Sequence, residues 1–70
     1  MNKTMTLNEL YNKNYKDIPM IGIYETDDQG RPLGIVSDYA GEILKTHGDM
    51  IVIDYIYFEE ENCLVVEFEK

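Results

Sequence analysis

Seventy residues with fourteen acidic and six basic side chains give a formal net charge of −8. A chain of that size holds one domain around one small core, here residues 1–70, and that charge excludes direct binding to nucleic-acid backbones or anionic membranes. One cysteine, Cys63, and one histidine, His47, exclude an internal disulfide and a four-ligand zinc site, so association is the remaining aid to stability.

Three further absences point to a cytoplasmic protein. A lone thiol suits a reducing compartment. No basic segment followed by an apolar run suggests a signal peptide. No apolar stretch reaches the roughly 18 residues that a membrane span needs.

The first element is a short helix. Thr6 and Glu9 have the spacing of a capping box, with Met5 and Leu10 at the positions of a hydrophobic staple. Leu7, Leu10, Tyr11 and Tyr15 share one helical face, and Pro19 ends the helix by forcing Ile18 toward an extended conformation. Met20 to Thr26 then reads as a strand, Asp27-Asp28-Gln29-Gly30 as a turn, and Leu33 to Val36 as the returning strand. Pro32 lacks an N–H, which places the start of that strand on a sheet edge or beside a bulge. Gly22 and Gly34 leave bare places on this hairpin that another element can approach.

Ser37 or Asp38 is expected to cap a second helix whose apolar stripe is Ala40, Ile43, Leu44 and His47, with Gly48 just past its end. The last third is two β-rich runs, Ile51 to Phe58 and Cys63 to Glu69, joined by Glu59-Glu60-Glu61-Asn62. A four-residue loop sets Phe58 opposite Cys63, Tyr57 opposite Leu64 and Tyr55 opposite Val66. One face then reads Ile51, Ile53, Tyr55, Tyr57, Leu64, Val66 and Phe68, a continuous core. A slip of one residue would carry Glu67 and Glu69 into it. The other face carries Val52, Ile56, Phe58, Cys63 and Val65 toward one end and Asp54, Glu67 and Glu69 toward the other. A solvated face has no need of Ile56, Phe58 and Val65, so a face half apolar and half acidic reads as a contact surface.

Groups that could carry chemistry are few. Asp54 and Glu67 form the one carboxylate pair that the register brings together, as an acidic patch or a weak cation site. Cys63 and His47 fall on different elements with no orienting partner; Cys63 reads as a small strand hydrophobe, and His47 as a helix-end residue facing the macrodipole. Glu59, Glu60 and Glu61 form an acidic hairpin tip, which guards an edge or meets Lys and Arg of a partner.

Gly30-Arg31-Pro32-Leu33-Gly34-Ile35-Val36-Ser37 resembles the strand-turn-strand segment of a CBS motif, in which Gly-x-x-x-Gly-Ile-Val-Ser/Thr leads into a helix. The resemblance implies an adenine-nucleotide module, with Ser37 as the hydroxyl that holds the ribose. Three residues further on, where the family has an aspartate, this chain has Ala40. Such motifs work in tandem pairs, and this chain has room for one.

The expected fold is α+β, in the order α-β-β-α-β-β, with a four-stranded, mainly antiparallel sheet and two short helices on one face. The expected function is non-enzymatic binding to a basic protein surface through Asp54, Glu59, Glu60, Glu61, Glu67 and Glu69 with Ile56, Phe58 and Val65. No cofactor or metal is required. A phage or mobile-element inhibitor that mimics nucleic acid, and so occupies a nucleic-acid-binding protein, is one form of that reading. A homodimer built through the C-terminal hairpin or a strand edge is the alternative, followed by the CBS-like nucleotide module.

Overall fold

The computed structural model describes residues 5–69. In chain order its elements are β1 (Met5–Thr6), α1 (Leu7–Asn14), β2 (Met20–Thr26), β3 (Pro32–Tyr39), α2 (Ala40–His47), β4 (Ile51–Phe58) and β5 (Cys63–Phe68). The α+β class and the two helices are as expected. The sheet differs in part: among the described residues it has five strands rather than four, ordered β1-β4-β5-β2-β3, and although three of its four pairings are antiparallel as expected, one is parallel. β2 runs parallel to β5 at its centre, Met20 beside Cys63 through Ile23 beside Val66. The fifth strand is the pair Met5–Thr6, which adds to β4 opposite Val52 and Ile51.

α1 begins with the capping box. The Thr6 hydroxyl accepts from the Glu9 N–H at 3.2 Å, and the Glu9 carboxylate accepts from the Thr6 N–H at 2.9 Å. Two further first-turn donors are met by the loop after α2, Leu7 N–H on the Met50 carbonyl and Asn8 N–H on the Gly48 carbonyl. Thr6→Ala removes the cap and should cost about 1 kcal/mol, read as a lower urea midpoint at unchanged slope. An unchanged midpoint would show that the docked carbonyls alone hold this end.

β2 and β3 are joined by a turn built on Asp27. Its carboxylate accepts from the N–H groups of Gln29 and Arg31, each at 2.9 Å, and pairs with the Arg31 guanidinium. Gly30 takes φ +81° there, a conformation that glycine adopts without penalty. β3 is an edge strand with a register shift opposite its first residues, so Pro32 withholds no ladder hydrogen bond.

β3 continues three residues past the expected end at Val36, and neither Ser37 nor Asp38 caps α2. The cap position is Tyr39, with no side-chain bond. The physical reason lies in the sheet: the Ala40 N–H donates to the Pro19 carbonyl at 2.8 Å, so a donor at the helix start is already satisfied. The Asp38 carboxylate accepts from the Tyr39 N–H instead.

Both helices lie on one side of the sheet. Leu7 and Leu10 of α1, Ala40 and Ile43 of α2, and Ile21, Leu64, Val66 and Phe68 of the sheet form one buried cluster with Ile18. His47, at the end of α2, stacks on Phe68 with ring centroids 5.5 Å apart and planes 12° from parallel. Its ring nitrogen Nδ1 is 2.6 Å from the Thr46 hydroxyl.

The C-terminal hairpin keeps the expected register from Asp54 to Phe58, then departs from it. A bulge between Val52 and Asp54 sets Val52 opposite Phe68, so Val52 packs against the core and Ile53 is exposed. The bulge absorbs one residue, and everything beyond it exchanges faces. Tyr55, expected in the core, is also largely exposed. It meets the Tyr15 ring edge-on at 6.0 Å, at the margin of the helix layer.

Candidate functional site

Among the described residues, no element packs on the side of the sheet opposite the helices. That face is built from residues that alternate with the core. On β5 they are Cys63, Val65 and Glu67; on β4, Asp54, Ile56 and Phe58. On β2 they are Met20, Gly22 and Tyr24, which lie opposite Tyr39, Ser37 and Ile35 of β3. Val65 stands at the centre and is only 6% exposed, while Ile35, Ile56 and Phe58 around it are 52%, 56% and 40% exposed.

The centre is sheltered by side chains leaning inward over Gly22. A Cβ built on Gly22 would meet the Ile35 Cγ2 at 2.9 Å and the Val65 Cγ2 at 3.3 Å. The missing side chain at Gly22 is what lets β3 and β5 close their apolar groups over β2. Two shallow depressions flank this ridge. One runs to Tyr24, Asp54 and Glu67, the other to Met20, Cys63 and Glu61.

Most of the sequence-predicted site residues fall on this face or at its margin. Asp54 lies directly opposite Glu67. Glu59, Glu60 and Glu61 are exposed in the loop between β4 and β5, closed by the Asn62 N–H on the Glu59 carbonyl with Asn62 in the left-handed region, φ 50°. Glu69 lies just past β5, where its N–H donates to the Ile51 carbonyl. Ile56, Phe58 and Val65 are neighbours across the β4–β5 pair. Val52 does not belong to this group, for the bulge turns it to the core.

Sequence reasoning missed Met20 and Ile35 in the β2–β3 half of the face. The pairing that brings it alongside is parallel and long-range, and parallel pairing has no turn signature in the sequence. Gly22 was the available signal.

The charge on this face has one sign. Its strand charges are Asp54 and Glu67; none of the described strands contains a lysine or arginine, and the other two strand acids, Glu25 and Asp38, alternate to the helix side. The described cations lie elsewhere. Lys13 and Lys45 are on the helices, with Lys45 paired to Glu42, Lys16 is exposed in the turn after α1, and Arg31 is held in the β2–β3 turn by Asp27.

The one thiol is a poor nucleophile here. Burial pushes the Cys63 pKa up, the Glu61 carboxylate pushes it further, and a backbone hydrogen bond at Gly22 pulls the other way. The thiolate is therefore scarce at neutral pH. Among the described residues, no three His, Cys, Asp or Glu side chains cluster as metal ligands, and no helix is long and apolar enough to cross a membrane. The segment that resembles a CBS motif occupies the β2–β3 turn and β3. Ser37 is exposed opposite Gly22, and Ala40 is buried at the start of α2.

No family model matches the chain, and neither a curated protein nor a solved structure is significantly similar to it.

Proposed function

We propose that this chain is a non-enzymatic binding module, and that the sheet face opposite the helices docks on a protein surface with an apolar centre and a basic rim. One observation carries the reading: Ile35, Ile56 and Phe58 surround Val65 on a face where the nearby charges are Asp54, Glu61 and Glu67. Apolar surface supplies affinity, and carboxylates of one sign select the partner and speed its approach. A second copy meeting this face with its own would set carboxylate against carboxylate, because none of the described strands of either copy offers a cation. A basic partner removes that conflict. An inhibitor that stands in for nucleic acid is the particular form in which the partner's rim is a nucleic-acid-binding groove.

The test is capture on the immobilised protein from a lysate of its own cells, with the bound protein then purified and titrated. A basic partner should bind more weakly as salt rises. Asp54→Lys with Glu67→Lys should abolish binding at low salt, and Phe58→Ala should weaken it at least tenfold at any salt, with far-UV circular dichroism unchanged in both variants. Competition by DNA or RNA would identify the nucleic-acid-mimic form. Binding that ignores salt and survives the charge reversal would overturn the proposal.

A further inference from the structure

The two ends of the sheet are finished differently. At one end β1 is two residues long, and the outer edge of β4 beyond it is broken by the bulge at Ile53 and carries Asp54. Short edge strands, bulges and charges are the usual guards against strand addition. At the other end β3 runs for eight residues, all of them exposed. Its guards, Pro32 and the register shift, sit at its start. From Ile35 to Tyr39 it has no proline, lysine or arginine, and Asp38 is its one charge. Leu33 and Tyr39 are 68% and 69% exposed, large side chains for an edge in contact with water alone.

The hydrogen-bond pattern fixes which groups point outward. The Ala40 N–H donates inward to the Pro19 carbonyl, and Asp38 and Val36 follow it as partners of Ile21 and Ile23. In an antiparallel ladder these residues exchange hydrogen bonds with β2, so the backbones of Ile35 and Ser37 face outward.

We propose that β3 pairs antiparallel with β3 of a second copy about a two-fold axis through Val36, joining two five-stranded sheets into one of ten. Symmetry restricts the register. A two-fold axis normal to the sheet keeps each face on its own side, so paired residues must differ by an even number. Centring on Val36 pairs Ile35 with Ser37 of the second copy, and Ser37 with its Ile35, through the four outward-facing N–H and C=O sets. It sets Leu33 beside the second Tyr39, an aliphatic–aromatic cross-strand pair, and Gly34 opposite the second Asp38. No acid meets an acid, which a chain with a net charge of −8 requires of any self-contact. The open faces of the two copies become continuous, so this contact is independent of the partner-binding proposal and compatible with it.

Sedimentation of the full chain at micromolar concentration should give the mass of two chains. Val36→Cys in a Cys63→Ala background should crosslink under mild oxidation, because Val36 and its symmetry mate form the close, non-hydrogen-bonded pair. Ile56→Cys in the same background, on the open face, should stay monomeric under the same oxidation and denaturing electrophoresis. Ser37→Pro removes an outward N–H while leaving the β2 ladder intact, and should raise the dimer dissociation constant tenfold or more. If that variant fails to fold, the crosslink decides. A monomeric chain overturns the proposal, as does a dimer in which Val36→Cys stays unlinked. A crosslink at Ile56→Cys would place the second copy on the open face, and would overturn both this proposal and the basic-partner reading.

Discussion

Leu64→Ala should lower the unfolding free energy by about 2–5 kcal/mol, the range for removing a fully buried leucine and leaving a cavity. Leu64, the second residue of β5, is fully buried between Tyr57 of β4 and Ile21 of β2. It is covered on the helix side by the cluster that contains Leu7, Leu10 and Ile43. Its neighbours are held on both flanks by the ladder, so they have little freedom to collapse into the space. A domain of this length is stable by roughly 0.05–0.15 kcal/mol per residue, and the loss is therefore a large fraction of the total. Urea denaturation followed by circular dichroism should show a variant largely unfolded or with its midpoint greatly lowered. A shift below about 0.5 kcal/mol would mean that the core closes over the gap, and that β5 is not the rigid centre of the sheet.

The second large effect is expected at Gly48, where propensity and packing predict opposite signs. Gly48 has φ −58° and ψ −31°, a conformation open to alanine, and replacing glycine at such a place ordinarily stabilises by about 0.4–1 kcal/mol. Here the added Cβ would lie 2.5 Å from the Leu44 carbonyl oxygen and within 2.7 Å of the Asn8 side-chain amide. Asn8 can swing aside. The Leu44 carbonyl cannot, because it accepts the Gly48 N–H that closes the last turn of α2. The Gly48 carbonyl in turn accepts the Asn8 N–H at the start of α1, so a displaced backbone disturbs the junction of both helices. Overpacking of this kind costs about 1–3 kcal/mol and outweighs the propensity gain. Thermal melting of Gly48→Ala should show a midpoint lower by several degrees; an equal or higher midpoint would show that the junction yields.

The parts of this fold that could be read in the sequence were the local ones. Thr6 and Glu9 specify a helix start within four residues, and the capping box forms. The even-numbered loop at 59–62 fixes the β4–β5 register from Phe58 back to Asp54, and with it the carboxylate pair Asp54–Glu67. Legibility ended where distant contacts override local pattern. Alternation in Ile51–Phe58 puts Ile53 inside and Val52 outside, but the sheet bulges there so that Val52 meets Phe68 and Met5. Nothing local marks Ser37 as strand rather than helix cap, because the donor that it would have satisfied goes to Pro19 of a neighbouring segment. The acidic half of the candidate face was visible as a run of glutamates and an alternating strand. Ile56, Phe58 and Val65 were visible in the same alternation, but the part that β2 and β3 contribute was not, since Ile35 joins Val65 only after β2 and β5 have paired.

That pairing also governs how the chain can reach its native state. Each hairpin, β2–β3 and β4–β5, closes through a short turn, and such closures take microseconds. Joining them requires Met20–Ile23 to find Cys63–Val66 from opposite thirds of the chain, and that search must be completed before its contacts return any stability. Neither hairpin holds a core alone, because Ile21 sits on one and Leu64 and Val66 on the other, under helices that flank both. β2 therefore stays without its parallel neighbour until β5 arrives. In that interval β2 and β3 offer two free edges rather than one, and the arrival of β5 decides between a closed sheet and an open one.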